Sequence, residues 1–424
     1  MTLHGAITIR MNIKTGMTES VMNLLHQIDN NPNDNPLVPF SKIKSIHFAR
    51  FVICPEGPDA RGNIIPCQLV FTTNYDQPFT NHVEELVNQG GQGLWQIFSL
   101  CENFPGGNFN AVSLTDFLRS NNKKPETFYV GVGNRSVNQI RRENELRNDI
   151  EEYLDLYREN LVTRDAKQIR EEIKRHVFSK PALQWTIIPE PTSTLSHNIS
   201  KALKLILVIL ALLLFSPVII PFVIVWWLII LLIELREKNI KSTIDKNHLQ
   251  SLLVREKGIV QNQFSAFGNI KSGWFRYNTM MFLLKLTDFL APYLFSKGRL
   301  SGIPTVHFAR WLVISEGRKM LFLSNYDGNS EGYLRDFIHI ATKQLTLLFT
   351  HTEGYPATRL MIFGGAKDAK GFMEWARKNQ LITNVWYSAN PSVSVKNIFQ
   401  NSKIRNGLYG DMNEQQAAKW LQLF

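Results

Sequence analysis

The chain has only three cysteines in 424 residues, Cys54, Cys67 and Cys101. They are too few and too scattered for a metal knuckle or a disulfide framework, and they point to a reducing compartment. HExxH, a phosphate-cradling glycine loop, G-x-S-x-G and paired CxxC motifs are all missing, so nothing marks a nucleotide site or a hydrolase, and no metal centre is expected. The opening MTLHGAITIRMN has no apolar h-region, so no cleavable signal peptide is expected. Charge is missing altogether from Leu205–Ile233, where Ser216 carries the single polar side chain.

That run reads LILVILALLLFSPVIIPFVIVWWLIILLI. It exceeds the roughly 20 apolar residues a spanning helix needs, and it has no polar stripe of the kind a surface helix carries. Pro217 and Pro221 bracket Val218–Ile220 at its centre, which favours a re-entrant hairpin with arms Leu205–Ser216 and Phe222–Ile233 over the alternative of a single span. Lys201 and Lys204 precede the run, and Arg236, Lys238 and Lys241 follow it. Positive charge at both ends predicts that both ends are cytoplasmic. The net charge of +11 then suits an anionic membrane face. No nucleic-acid motif is present, so membrane lipid is the expected partner and nucleic acid is not.

In the first half, Ala6–Ile13 alternates as a strand, and Thr18 opens a helix with Val21, Leu24, Leu25 and Ile28 on one face. Ile46–Cys54 and Gln68–Asn74 read as strands, Asn81–Asn88 as a short helix and Leu94–Cys101 as a fourth strand. The order β-α-β-β-α-β is the ferredoxin-like unit. A helix at Asp116–Ser120, a strand at Phe128–Val132 and a charged helix at Ser136–Tyr157 extend it. Ala166–Val177 is basic and amphipathic, suited either to a membrane surface or to packing on its own domain.

The second half repeats the first. VHFARWLVI at Val306–Ile314 matches IHFARFVIC at Ile46–Cys54, and FLSNYDG at Phe322–Gly328 matches FTTNYDQ at Phe71–Gln77. Leu345–Pro356 matches Leu94–Pro105 in pattern. Ser136, Val137, Ile140, Leu146, Arg147 and Asn148 recur as Ser394, Val395, Ile398, Ile404, Arg405 and Asn406. The repeat also takes in a strand opening at Asn262, an apolar helix at Thr279–Phe295 broken near Pro292, a helix at Ala369–Asn379 and a strand at Asn384–Tyr387. The expected fold is α+β: duplicated ferredoxin-like βαββαβ units forming a pseudo-dimeric α/β barrel, with a central membrane-inserted helical hairpin. The expected parts are 1–185, a membrane segment at 200–240, and 258–424.

The blocks HFAR, NYDG, GYP, VWYSANPSVSV and IRNGL, with VQNQ at Val260–Gln263, resemble a little-characterised bacterial membrane-associated family with two ferredoxin-like halves. At fold level, two such units are similar to the dimeric α/β-barrel superfamily, which includes dye-decolourising peroxidases and chlorite dismutases. That resemblance implies haem as a cofactor. The peroxidase motif G-x-x-D-G has Ser324 at its first glycine here, and Thr73–Gln77 lacks both glycines.

Six residues are candidates for chemistry: Asp76, Asp327, Arg147, Arg405, His47 and His307. Each aspartate ends a strand, where it can take a proton, cap the next helix or form an inter-repeat ion pair with Arg147 or Arg405. His47 and His307 lie three residues before Arg50 and Arg310, so on a regular strand they face away from them. They would share a face with Phe51 and Ile53, or with Trp311 and Val313. His351 and Glu353 form a further cluster in which only the acid recurs, as Glu102. The expected function is a membrane-associated protein holding an apolar or lipid-like molecule in a barrel-type cavity. The alternatives are a haem-dependent peroxidase or oxygenase, and a non-catalytic interaction module.

Overall fold

The computed structural model describes residues 4–161, 163–189, 195–237, 242–256, 260–294, 300 and 302–424. Its longer strands are β1 (His4–Asn12), β2 (Ile46–Cys54), β3 (Gln68–Asp76), β4 (Thr127–Val130), β5 (Gln261–Asn269), β6 (Val306–Ile314), β7 (Lys319–Asp327) and β8 (Thr383–Ser388). The main helices are α1 (Thr18–Asp29), α2 (Phe79–Phe98), α3 (Ala111–Ser120), α4 (Val137–Leu156), α5 (Ala166–Ser179), α6 (Leu195–Leu214) and α7 (Ser216–Arg236). They continue as α8 (Lys246–Arg255), α9 (Trp274–Leu294), α10 (Ser330–Ile340), α11 (Thr342–Phe349), α12 (Ala369–Asn379), α13 (Val395–Asn406) and α14 (Glu414–Leu421). The protein is α+β with several antiparallel sheets.

The two main sheets have strand orders β1-β3-β2-β8 and β4-β6-β7-β5. Each is completed by a strand from the other half of the sequence. β8 pairs with β2 through Tyr387↔Ala49, and β4 pairs with β6 through Tyr129↔Ala309. The expected fourth strands are therefore corrected. Leu94–Phe98 is the end of the 20-residue helix α2, and Leu345–Phe349 belongs to α11. Only Cys101 and Thr352 keep isolated bridges, to Ile13 and Ile270. The QGGQG stretch looks like a helix breaker, yet its glycines serve packing. A Cβ on Gly93 would meet the Leu37 carbonyl oxygen at 2.2 Å, and one on Gly90 would meet Val38 at 3.0 Å. The helix passes too close to that loop for any side chain.

Among the described residues the sheets do not close into a barrel. The segment leading into β8 approaches β5 through the Ala266↔Gln380 bridge and a 2.7 Å bond from Leu381 N–H to Ser265 O. β4's half approaches β1 through Ile9↔Asn122 and a 2.9 Å bond from Lys123 N–H to Thr8 O. Instead of closing, the sheets pack face to face, with Cys54, Val70, Phe267, Leu312, Ile314, Leu321 and Leu323 forming an apolar layer. The outer face of the first sheet carries Ile7, Ile9, Ala49, Phe51 and Phe71, which pack with Val21, Leu25 and Ile28 of α1 and with α2.

The chain divides into two compact units, Asn138–Leu228 with Lys396–Phe424, and Thr2–Val137 with Ile229–Val395. Both sheets lie in the second. In the first, Ile173 and Val177 of α5 are buried with Leu146, Ile150, Ile404, Leu408 and Trp420. Arg170 is buried and donates to the carbonyls of Gly407 (2.8 Å) and Gly410 (2.7 Å). The apolar stripe of α5 is thus covered by its own unit and unavailable to a membrane surface.

α7 is long and apolar enough to cross a bilayer, with about 32 Å of length at 1.5 Å per residue. Only 11% of its apolar window is buried. The expected hairpin bend is corrected, because Val218–Ile220 is helical and the break falls at Phe215. Helical bonds flank that break, Phe215 N–H to Ala211 O (3.0 Å) and Ile219 N–H to Phe215 O (2.9 Å). Pro217 has no N–H for the Leu213 carbonyl four residues back. The Ser216 hydroxyl donates to that carbonyl instead, at 2.7 Å. The run's single polar side chain thus satisfies, at the break, the carbonyl that Pro217 leaves without a donor. Pro292 likewise sits inside α9 without ending it. Lys238 and Lys241 lie outside the described residues, as do the side chains of Lys201 and Lys204.

Candidate functional site

His47 and His307 each sit at a β-bulge. The register steps from Ile46↔Tyr75 to Phe48↔Asn74, and from Val306↔Tyr326 to Phe308↔Asn325. An extra residue re-aims the side chain, so the histidines leave the face of Phe51 and Trp311 that strict alternation predicts. Each reaches the aspartate at the end of the adjacent strand. His47 Nε2 lies 2.8 Å from Asp76 Oδ1, and His307 Nε2 lies 2.6 Å from Asp327 Oδ1. The second carboxylate oxygen accepts a backbone N–H, from Val137 to Asp76 (2.9 Å) and from Val395 to Asp327 (2.8 Å). Each aspartate does cap a helix start, but the helix lies some 60 residues on rather than next in the chain.

The bulges place the HF pairs of both repeats together between the sheets. The rings of His47 and Phe308 are 5.2 Å apart, and those of Phe48 and His307 are 5.3 Å apart. Next to them the arginines of HFAR cross from one sheet to the other. Arg50 donates to Phe264 O (3.0 Å) and Ser324 O (2.8 Å), and Arg310 donates to Ile7 O (2.8 Å) and Thr73 O (2.9 Å). Burial pushes both guanidinium pKa values down to about 9. Asn325 donates to Asn74 at 3.2 Å where the two NYD motifs meet.

The two repeats differ at one position of this arrangement. His4 stands opposite Asp76 across β1 and β3, whereas Gln261 stands opposite Asp327 across β5 and β7. His4 Nε2 is 3.6 Å from Asp76 Oδ1 and 2.9 Å from the Arg135 carbonyl oxygen. Its ring centroid is 4.9 Å from that of His47. Burial, and then the nearby His47, pushes the His4 pKa down to about 4. Gln261 turns its amide to the carbonyls of Val393 (2.6 Å) and Asn390 (3.1 Å).

Arg147 and Arg405 take no part in this cluster. Arg147 bonds Glu151 at 2.7 Å and Asn401 at 3.4 Å. Arg405 bonds buried Glu143 at 3.4 Å, and its guanidinium lies 5.0 Å over the Trp185 ring. The expected Asp–Arg ion pair is thereby replaced on both sides, by histidine and backbone amide for the aspartates and by glutamate for the arginines. The recurring acid of the His351 cluster also has a structural task. Glu353 accepts from the Asn269 side chain at 2.7 Å, as Glu102 does from Asn12 at 3.0 Å. All three cysteines are free thiols.

A separate apolar cavity of about 170 Å³ lies between α9 and the α10–α11 pair. Leu283, Leu286, Leu290, Trp311, Leu345 and Leu348 are among its lining residues. No short motif predicts it, because its walls come from three helices and the outer face of β6. Comparison with protein-family models, curated proteins and solved structures finds no match.

Proposed function

We propose that this chain is a membrane-associated binding protein that takes an apolar or lipid-like molecule beside α9. The supporting observation is the cavity there. An apolar cavity of roughly 150 Å³ stays dry and accepts a benzene-sized ligand, and this one is of similar volume, with Thr287 and Gln344 the polar lining residues among those described. Phe282 and Phe289 on the same helix are exposed, so the apolar surface continues outside. The space between the sheets, where a barrel would hold its ligand, is filled by Arg50, Arg310, Phe48 and Phe308. This favours the outer cavity over a barrel interior.

The exposed apolar helix α7 supports membrane association. A helix that is apolar all round gains by immersion and has no polar face with which to lie at an interface. Residues on both sides of the run belong to sheets that exchange strands, and a bilayer cannot separate them. The run therefore enters the membrane and returns, with both halves on the cytoplasmic face. Exchange of strands between duplicated halves also supports kinship with two-repeat α/β-barrel proteins, although the edges here stay open. The haem alternative lacks a supporting observation, since both oxygens of Asp327 are already bonded.

Organic extraction of detergent-purified protein, followed by mass spectrometry, should recover a stoichiometric apolar molecule. Ala341→Phe fills the cavity and should lower recovery at least tenfold with the fold intact. An empty wild-type protein, or equal recovery from the variant, would sink the proposal.

A further inference from the structure

The His4, His47 and Asp76 cluster does more than the fold requires. In the second repeat, His307, Asp327 and the Val395 amide hold the bulge, the strand end and the helix start together, and position 261 is a glutamine engaged elsewhere. The first repeat has the same histidine–aspartate pair with the same backbone cap, and adds a second buried imidazole at the same carboxylate oxygen. Nothing in the pseudo-symmetric arrangement calls for that third group.

We propose that His4, His47 and Asp76 bind one divalent transition-metal ion of the zinc class. Each residue offers one donor atom, and the three donors lie within 4.8 Å of one another. Ligands about 2.1 Å from an ion sit roughly 3.4 Å apart in a tetrahedron, and the two nitrogens lie 2.8 and 3.6 Å from the shared oxygen. Closure on an ion requires the 2.8 Å contact between His47 and Asp76 to open towards that spacing. The Arg135 carbonyl oxygen, 2.9 Å from His4 Nε2, stands beside the site as a further oxygen donor. Two imidazoles and one carboxylate suit zinc, cobalt or iron, whereas magnesium and calcium favour all-oxygen sites. Asp76 Oδ2 stays bonded to the Val137 amide, which fixes the carboxylate as a supporting contact fixes a metal ligand. Ligation through Nε2 leaves each neutral imidazole with its proton on Nδ1. The ion would pin β1 to β2 and β3 in the first repeat alone.

The test uses the full chain, purified in detergent through a histidine-free tag, stripped with chelator and titrated with Zn²⁺ and with Co²⁺ as the optical probe. One ion per chain is expected, with cobalt ligand-field bands that zinc displaces. His4→Gln copies the residue of the second repeat and should weaken zinc binding at least tenfold, whereas Asp327→Asn should leave the stoichiometry at one. X-ray absorption of the zinc-loaded wild type should show two imidazoles in the first shell, a readout independent of any variant's folding. Failure of the wild type to bind zinc stoichiometrically, undiminished binding by folded His4→Gln, or a zinc shell without imidazole would each overturn the proposal.

Discussion

Arg50 and Arg310 are buried polar links between the two sheets. Each is buried and each donates to main-chain carbonyls of the opposite sheet. A buried cation without partners is costly, and buried carbonyls that lose their donor are costly too. Arg50→Leu or Arg310→Leu should therefore lower unfolding free energy by about 3 kcal/mol in urea titration. Arg147→Ala should change it by less than about 1 kcal/mol, because its partner Glu151 is 39% exposed. The reverse order would show that the inter-sheet bonds contribute little. His82 gives a second residue-level expectation. It lies between Ser45 Oγ and Thr73 Oγ1, both at 2.8 Å, and stacks on Tyr75 at 4.1 Å; Glu85 reaches Ser45 from the same helix. Burial lowers its pKa to about 3 from an ordinary 6.5. Between those values the unfolded chain binds the extra proton, so stability falls as pH drops from 6.5 towards 3. The urea midpoint of His82→Gln should fall less over that window than the wild type's; parallel curves would refute this.

At the scale of elements, the end of the apolar helix is built into the second repeat. Glu234, in the last turn of α7, is 4% exposed. It accepts from Thr358 Oγ1 (2.6 Å), Leu360 N–H (2.6 Å) and Met361 N–H (3.1 Å). Leu360 and Met361 both have positive φ, at 53° and 61°, an uncommon region for large side chains. The carboxylate holds that turn in place. Glu237 adds bonds to Lys271 (2.7 Å) and Arg276. Glu234→Ala should cost about 3 kcal/mol of stability and open the 358–361 turn to proteolysis; a variant with wild-type melting and digestion would remove the anchor from the account. Sequence marked the six long strands well, because their runs of apolar and aromatic residues are local. It missed the helical end of α2, because QGGQG signals a break unless the nearby Leu37–Val38 backbone is known.

For the whole molecule, the exchange of β4 and β8 binds the two halves of the chain into one set of sheets. A single crossing by α7 would place those halves on opposite sides of a bilayer. Cysteine reporters at Ser179→Cys and Lys246→Cys, in a background lacking the three native thiols, should therefore label from the same side in sealed vesicles. Labelling from opposite sides would refute the proposed return of the apolar run.

The sequence by itself determined the duplication, the α+β class and the apolar run, because each is written in local composition and in blocks repeated along the chain. It also singled out His47, His307, Asp76 and Asp327, which the structure brings into bonded pairs. Tertiary structure alone decided which strand completes each sheet, since exchange depends on edges that meet only in the folded state. It decided, too, that the histidines turn at bulges, that His4 joins one aspartate while Gln261 leaves the other, and that Arg50 and Arg310 bridge the sheets. The physical reason is the same in each case: register and burial are set by contacts between residues hundreds of positions apart, and periodicity carries no record of them. The charge-free run opened as a question about crossing a membrane, and the interleaved sheets on either side of it supply the constraint on the answer.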